Sequence, residues 1–189
     1  MNILRFHKLF LFSHEEWRGL AESRPEALKL FILQVLPFAL VPPIMLEYAS
    51  RHAGAAMFPN VPDQEWGVIA LLFMLGEVAT VPLMAWAIRS VAAGKGVRSR
   101  YYDTFLLAVV APAPLWLSSL ALFFEQFALV VFLGLLGLAG FVLLVFRGVK
   151  NILGVSEGLI AFEIAYTVTA LGLIAWGALA MLGLLPALS

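Results

Sequence analysis

The sequence predicts an all-α polytopic membrane protein with five transmembrane helices preceded by a short interfacial helix. The composition, the length of the apolar runs and the placement of basic residues support this fold class. Hydrophobic residues make up 62% of the 189-residue chain and charged residues only 13%, with a mean hydropathy of +0.97. A soluble domain is about half apolar and about a quarter charged, and a chain of this length has too much surface to hide the excess. We therefore expect lipid to solvate it.

Five apolar runs are long enough to cross a bilayer, which takes about 20 residues. Because they are continuous and lack two-residue alternation, helices are favoured over the strands of a membrane barrel. We divide the chain into an N-terminal segment, residues 1–26, and a five-helix transmembrane domain, residues 27–189. The predicted spans cover residues 27–48, 66–88, 102–123, 127–146 and 159–185.

Basic residues are concentrated on one side of the predicted spans. Eleven of the twelve Lys and Arg residues fall in the N-terminal segment and in the second and fourth connections, against Arg51 in the first connection. Since cytoplasmic segments are enriched in Lys and Arg, the N-terminus is predicted to be cytoplasmic and the C-terminus outside, in the periplasm. The expected location is the cell (inner) membrane, as a multi-pass protein.

The N-terminal segment has the pattern of short amphipathic helices. Arg5 and Lys8 lie three residues apart in an apolar stretch, which suits a helix at the membrane interface. A capping box at residues 13–16 predicts a second short helix over residues 14–22, with Trp17 on its apolar face. A solvated helical lead-in and a membrane-binding surface both remain open for this segment.

A cytoplasmic docking face is the first candidate functional surface. It combines the N-terminal segment with the basic second connection, and it would bind anionic lipid headgroups or a partner protein. Its residues are Arg5, Lys8, Trp17, Lys95, Arg98 and Arg100.

A carboxylate near the middle of the second span is the second candidate. Glu77 lies about 15 Å deep at the helical rise of about 1.5 Å per residue. An ionised carboxylate facing lipid at that depth is costly, so Glu77 is expected to face the bundle, with Gln34 and Thr169 as partners at comparable depth. Two interpretations remain open: a proton- or cation-linked site, and a neutral carboxyl group that hydrogen-bonds one helix to another.

Glu163 lies one turn into the fifth span, with Tyr166 on the same helical face. An ion pair at the headgroup boundary is one interpretation, because Arg147 and Lys150 end the fourth span nearby. The other is that Glu163 and Tyr166 belong to the intramembrane polar site around Glu77.

Prolines and glycines are expected to shape the spans. Interior prolines remove backbone hydrogen bonds and kink helices; broken helices build substrate sites in transporters, and they also serve packing alone. These prolines are Pro37, Pro42, Pro43, Pro82, Pro112 and Pro114. Gly134, Gly137 and Gly140 recur every three residues in the fourth span, which allows another helix to approach closely within the bundle or in a homodimer.

Catalytic motifs are absent from the sequence. It has no Cys, its three His residues lie outside the spans, and it contains no metalloprotease, phosphate-loop or nucleophile-elbow motif. We therefore expect no enzymatic activity, no cofactor and no metal. The net charge of zero gives no indication of nucleic-acid binding.

Three stretches resemble bacterial Yip1-domain proteins, a family of five-span membrane proteins. Residues 11–17 lead into a proline-rich first span, residues 101–112 join a Tyr-Tyr-Asp start to a proline, and residues 146–155 precede the last span. The resemblance implies five helices and a cytoplasmic N-terminus. The Asp-Leu-Tyr-Gly-Pro motif of eukaryotic members, which act in vesicle trafficking and small-GTPase binding, is absent. Resemblance to bacterial members implies no specific biochemical activity.

Two functional hypotheses follow. The favoured one is a membrane-organising or partner-binding scaffold, whose partners are the lipid bilayer, anionic headgroups, and a second copy or another membrane protein. The alternative is a small transporter, channel or lipid-handling protein centred on Glu77, with Gln34 and Glu163 lining a cavity.

Overall fold

The computed structural model describes residues 26–54, 63–124 and 126–184. Five of its helical spans are long and apolar enough to cross a membrane, which confirms the predicted five-span all-α fold. They cover Ala27–His52, Trp66–Gly94, Tyr101–Phe124, Phe127–Asn151 and Gly158–Met181. The predicted interfacial helix lies outside the described residues.

The first span is divided into short segments because prolines interrupt its hydrogen bonding. Pro37 has no N–H to donate, and just before it the Leu36 amide bonds to the Phe31 carbonyl, five residues back, in a π-helical turn. The α-helical segments are Ala27–Leu30, Leu36–Ala39 and Val41–Ala49, and the π-helical turns are Phe31–Val35 and Ser50–Gly54.

The second span is one helix, Asp63–Gly94, and it continues without interruption through Pro82. This proline therefore does not divide its span as the prolines of the first span do. Gly96 follows with a φ of 76°, a left-handed conformation that glycine adopts without steric cost, and the chain turns there toward the third span.

The third span lies at the centre of the bundle. Its first part, Tyr101–Val110, is buried on every face from residue 104 onward, and a helix that is apolar all round must be surrounded by others. After a turn at Ala111–Pro112 it resumes as Ala113–Ser118 and ends as the 3₁₀ helix Ser119–Phe124.

The fourth span is the helix Phe127–Asn151, and two of its glycines bring it against the third span. A Cβ added at Gly137 would lie 2.8 Å from the Ser118 Cβ, and one at Gly140 would lie 2.9 Å from the Pro114 Cβ. The backbones can approach this closely only because the glycines have no side chain.

The fifth helix, Gly158–Leu184, packs against the second and fourth spans. A Cβ added at Gly172 would lie 2.6 Å from the Phe141 Cζ, and a Cβ at Gly76 would overlap the Leu179 side chain.

Candidate functional site

A cavity of about 530 Å³ lies between the spans, a volume typical of small-molecule sites, which measure ~300–1,000 Å³. All five spans contribute to its lining, which is mostly apolar. Each helix presents one face, because side chains three and four residues apart share a side. On the second span this face consists of Phe73, Glu77, Thr80, Val81, Met84 and Ile88.

The cavity extends from the later part of the third span past the middle of the bundle, as far as Ile88, Ala108 and Val145. The first span contributes Pro42 and Leu46, from its second half, and the third span contributes residues on both sides of the break at Pro112. The broken helix is therefore part of the wall.

Some of the residues that line the cavity are exposed on the outer surface of the fourth and fifth spans. Leu135 and Trp176 line the cavity yet are 61% and 50% exposed. Large apolar side chains exposed on a helix that crosses a membrane face lipid. The lining therefore includes side chains that also face the hydrocarbon region.

Glu77 brings a carboxyl group into this apolar lining. The residue is only 4% exposed, and the Trp116 side chain of the third span donates a hydrogen bond to its carboxyl group. Its Oε2 atom is buried and has no hydrogen-bond partner among the described residues. One carboxyl oxygen of this cavity-lining residue is therefore left unsatisfied.

Three hydroxyl groups also line the cavity, and each already donates to its own helix. Thr80 Oγ1 donates to the Glu77 carbonyl, Ser118 Oγ to the Leu115 carbonyl and Ser119 Oγ to the Trp116 carbonyl, each at 2.7 Å. The hydroxyl oxygens keep their accepting lone pairs.

The structure does not bring the expected partners of Glu77 to the cavity. Gln34 is buried in the π-helical turn, which packs against the first part of the third span, and Thr169 is half-buried on the fifth span. Neither belongs to the described lining. Sequence reasoning did not identify Trp116 as a partner of Glu77. The available signal was its indole N–H, because a buried tryptophan usually needs a hydrogen-bond acceptor.

Glu163 and Tyr166 lie apart from the cavity as well. Lys95 Nζ donates to Glu163 Oε2 at 2.7 Å, with both side chains partly exposed, so the acid pairs with the second connection. Lys150, expected near Glu163, instead lies over the Phe146 ring, 4.9 Å from its centroid. Tyr166 is exposed.

The candidate docking face is described only in part. Lys95, Arg98 and Arg100 are exposed in and beside the second connection. Arg5, Lys8 and Trp17 lie outside the described residues.

In the fourth span, the three glycines occupy different surroundings. Gly137 and Gly140 lie against the third span, whereas a Cβ added at Gly134 would meet no atom within 4 Å, and Gly134 lines the cavity.

Comparison with known proteins gives one match. A family model described as the Yip1 domain matches residues 8–179. No curated protein and no solved structure matches the chain.

Proposed function

Because the chain belongs to the Yip1-domain family of membrane proteins and has five helices that can span a bilayer, we propose that it acts within the membrane as a non-enzymatic, lipid-handling protein. It binds a membrane-resident apolar molecule in the cavity between the spans. The observation that carries this proposal is the 530 Å³ mostly apolar cavity lined by Glu77, whose buried Oε2 has no hydrogen-bond partner among the described residues.

The unsatisfied carboxyl oxygen favours ligand binding over a purely structural role. A buried polar atom without a partner costs about 1–3 kcal/mol in proteins. A helix-to-helix hydrogen bond from Trp116 uses only part of the carboxyl group. An occupant of the cavity with a polar atom near Glu77 would remove this cost.

The lining also favours a lipid over an ion as the occupant. Glu77 is the single ionisable side chain among the lining residues that the structure describes, and most of the others are apolar. A hydrated ion would lose its water without gaining enough oxygen ligands. The lining residues exposed on the fourth and fifth spans bring this lining into contact with molecules dissolved in the membrane.

A cavity-filling substitution with a matched control tests this proposal. Cβ atoms added at Gly134 and Gly177 meet nothing within 4 Å, but only Gly134 belongs to the described lining. We expect Gly134→Leu to fold and to fill the cavity, and Gly177→Leu to fold and leave it open.

The measurement is photolabelling in liposomes by a long-chain alcohol that carries an alkyl diazirine, with labelled peptides mapped by mass spectrometry. Labelling of the cavity-lining peptides of the second and third spans should be lost in Gly134→Leu and kept in Gly177→Leu. Equal labelling of these peptides in both variants would exclude the cavity as a binding site.

A second candidate function is supported by the exposed basic side chains of the second connection. Arg98 and Arg100 are exposed beside the start of the third span, and clusters of this kind attract anionic headgroups. We propose that this face, cytoplasmic in the expected topology, docks anionic lipid or a partner protein, as a membrane-organising scaffold would.

Retention of lipids in native mass spectrometry tests the docking face. Arg98→Gln combined with Arg100→Gln should lower the number of anionic lipids retained, without changing retention of zwitterionic lipids. Arg51→Gln, on the first connection, is the control. Unchanged anionic-lipid retention in the double variant would remove the support for this role.

A further inference from the structure

We propose that the cavity selects an apolar molecule with a hydroxyl head group. This inference rests on the proposed lipid-handling function and names the chemical class of the ligand. It follows from the hydrogen-bonding groups of the lining. Almost all of these groups can still accept a hydrogen bond, but few have a hydrogen left to donate.

The donors of the lining are already used. Thr80, Ser118 and Ser119 direct their hydroxyl hydrogens to backbone carbonyls of their own helices. The Trp116 indole, which can only donate, is bonded to the Glu77 carboxyl group. These side chains therefore have no hydrogen left for a ligand.

The acceptors of the lining are in excess. Glu77 Oε2 is buried without a partner among the described residues, and the three hydroxyl oxygens retain lone pairs. An occupant that donates a hydrogen bond complements this set.

A hydroxyl group fits the carboxyl group in either protonation state. It donates to an ionised carboxylate, and it can both donate to and accept from a protonated carboxyl group. An ether or ester oxygen only accepts, so it leaves an ionised carboxylate unsatisfied and can take only the single O–H of a protonated carboxyl group, whereas a hydroxyl group exchanges hydrogen bonds with both forms. A phosphate or carboxylate head group would bring its charge into a mostly apolar lining that has no cationic side chain among the described residues, which costs far more than burying a neutral hydroxyl group.

The test compares two photoactivatable probes of the same chain length and diazirine position, a long-chain alcohol and its methyl ether. In liposomes containing the full chain, we expect about tenfold stronger labelling of the cavity-lining peptides by the alcohol, as one hydrogen bond to a buried group would give. The difference should disappear in Glu77→Leu, with ether labelling unchanged. Glu163→Gln, which changes an acid outside the cavity, is the control and should keep the difference.

The outcomes separate this inference from the proposed function beneath it. If both probes label equally and Gly134→Leu blocks both, the cavity binds apolar molecules but the hydroxyl selectivity is wrong. If neither probe labels the lining peptides, the binding function itself is wrong. Should Glu77→Leu fail to fold, the ratio of alcohol to ether labelling in the unmodified protein still decides between these outcomes.

Discussion

Glu77 and Trp116 form a polar contact between two spans in otherwise apolar surroundings. The carboxyl group accepts from the indole N–H, and both residues are buried. Each side chain therefore protects the other from being an unpaired polar group inside the membrane, where such groups are costly. The pair links the second span to the later part of the third.

This contact predicts strong coupling between the two residues. Glu77→Leu should lower the free energy of unfolding by about 1–3 kcal/mol, because the indole N–H loses its acceptor. Trp116→Phe removes that donor, so adding it to Glu77→Leu should cost less than its effect in the unmodified protein. A double-mutant cycle in detergent, followed by denaturant unfolding, measures the coupling. Additive effects would show that the hydrogen bond contributes nothing to stability.

At the scale of the helix, the regularly spaced glycines of the fourth span have two different roles, helix contact and cavity lining. Gly137 allows contact with the backbone of the third span, since an added Cβ would lie 2.9 Å from the Pro114 carbonyl oxygen. Gly134, one turn earlier on the same helix, borders the cavity. The three-residue spacing alone does not distinguish these positions.

The two glycines should therefore respond differently to the same small substitution. Gly137→Ala is expected to destabilise the protein by about 1–3 kcal/mol, because a methyl group there displaces backbone rather than a flexible side chain. Gly134→Ala should be neutral or stabilising by up to about 1 kcal/mol through helix propensity. Unfolding of both variants in the same detergent gives the comparison, and equal destabilisation would contradict the assignment of Gly134 to open space.

At the scale of the whole molecule, five spans place the two ends of the transmembrane part on opposite sides of the membrane. The second and fourth connections then lie on the side of the N-terminus. These are the connections that carry the basic residues, so the five-span arrangement is consistent with the orientation that the charge distribution predicts.

Reporter fusions test the orientation. A periplasmic reporter fused after Ser189 should be active, and the same reporter inserted after Gly96 should be silent. A cytoplasmic reporter should give the opposite pattern at both sites. Activity of the periplasmic reporter at Gly96 would invert the topology and place the basic face outside the cell.

The sequence was sufficient to predict the five spans, because each is a long apolar run that no other class of structure explains. It also placed Glu77 inside the bundle, since exposure to lipid would be too costly. The sequence did not predict the hydrogen-bond partner of Glu77. Depth along the helix suggested Gln34, but contact also depends on helix rotation and on the break at Pro112, and these bring Trp116 to the carboxyl group instead. The cavity arises from such packing between distant segments, which single-helix patterns do not contain.

Exposed lining residues on the fourth and fifth spans make the bilayer both the solvent and the reservoir of the cavity. Acyl chains of the surrounding lipids are always present there, so any selected molecule binds by displacing them. Occupancy then depends on the mole fraction of that molecule in the membrane rather than on its concentration in water, following the same mass action as any ligand. A protein with this arrangement would respond to a change in membrane composition even when the aqueous phase stays constant.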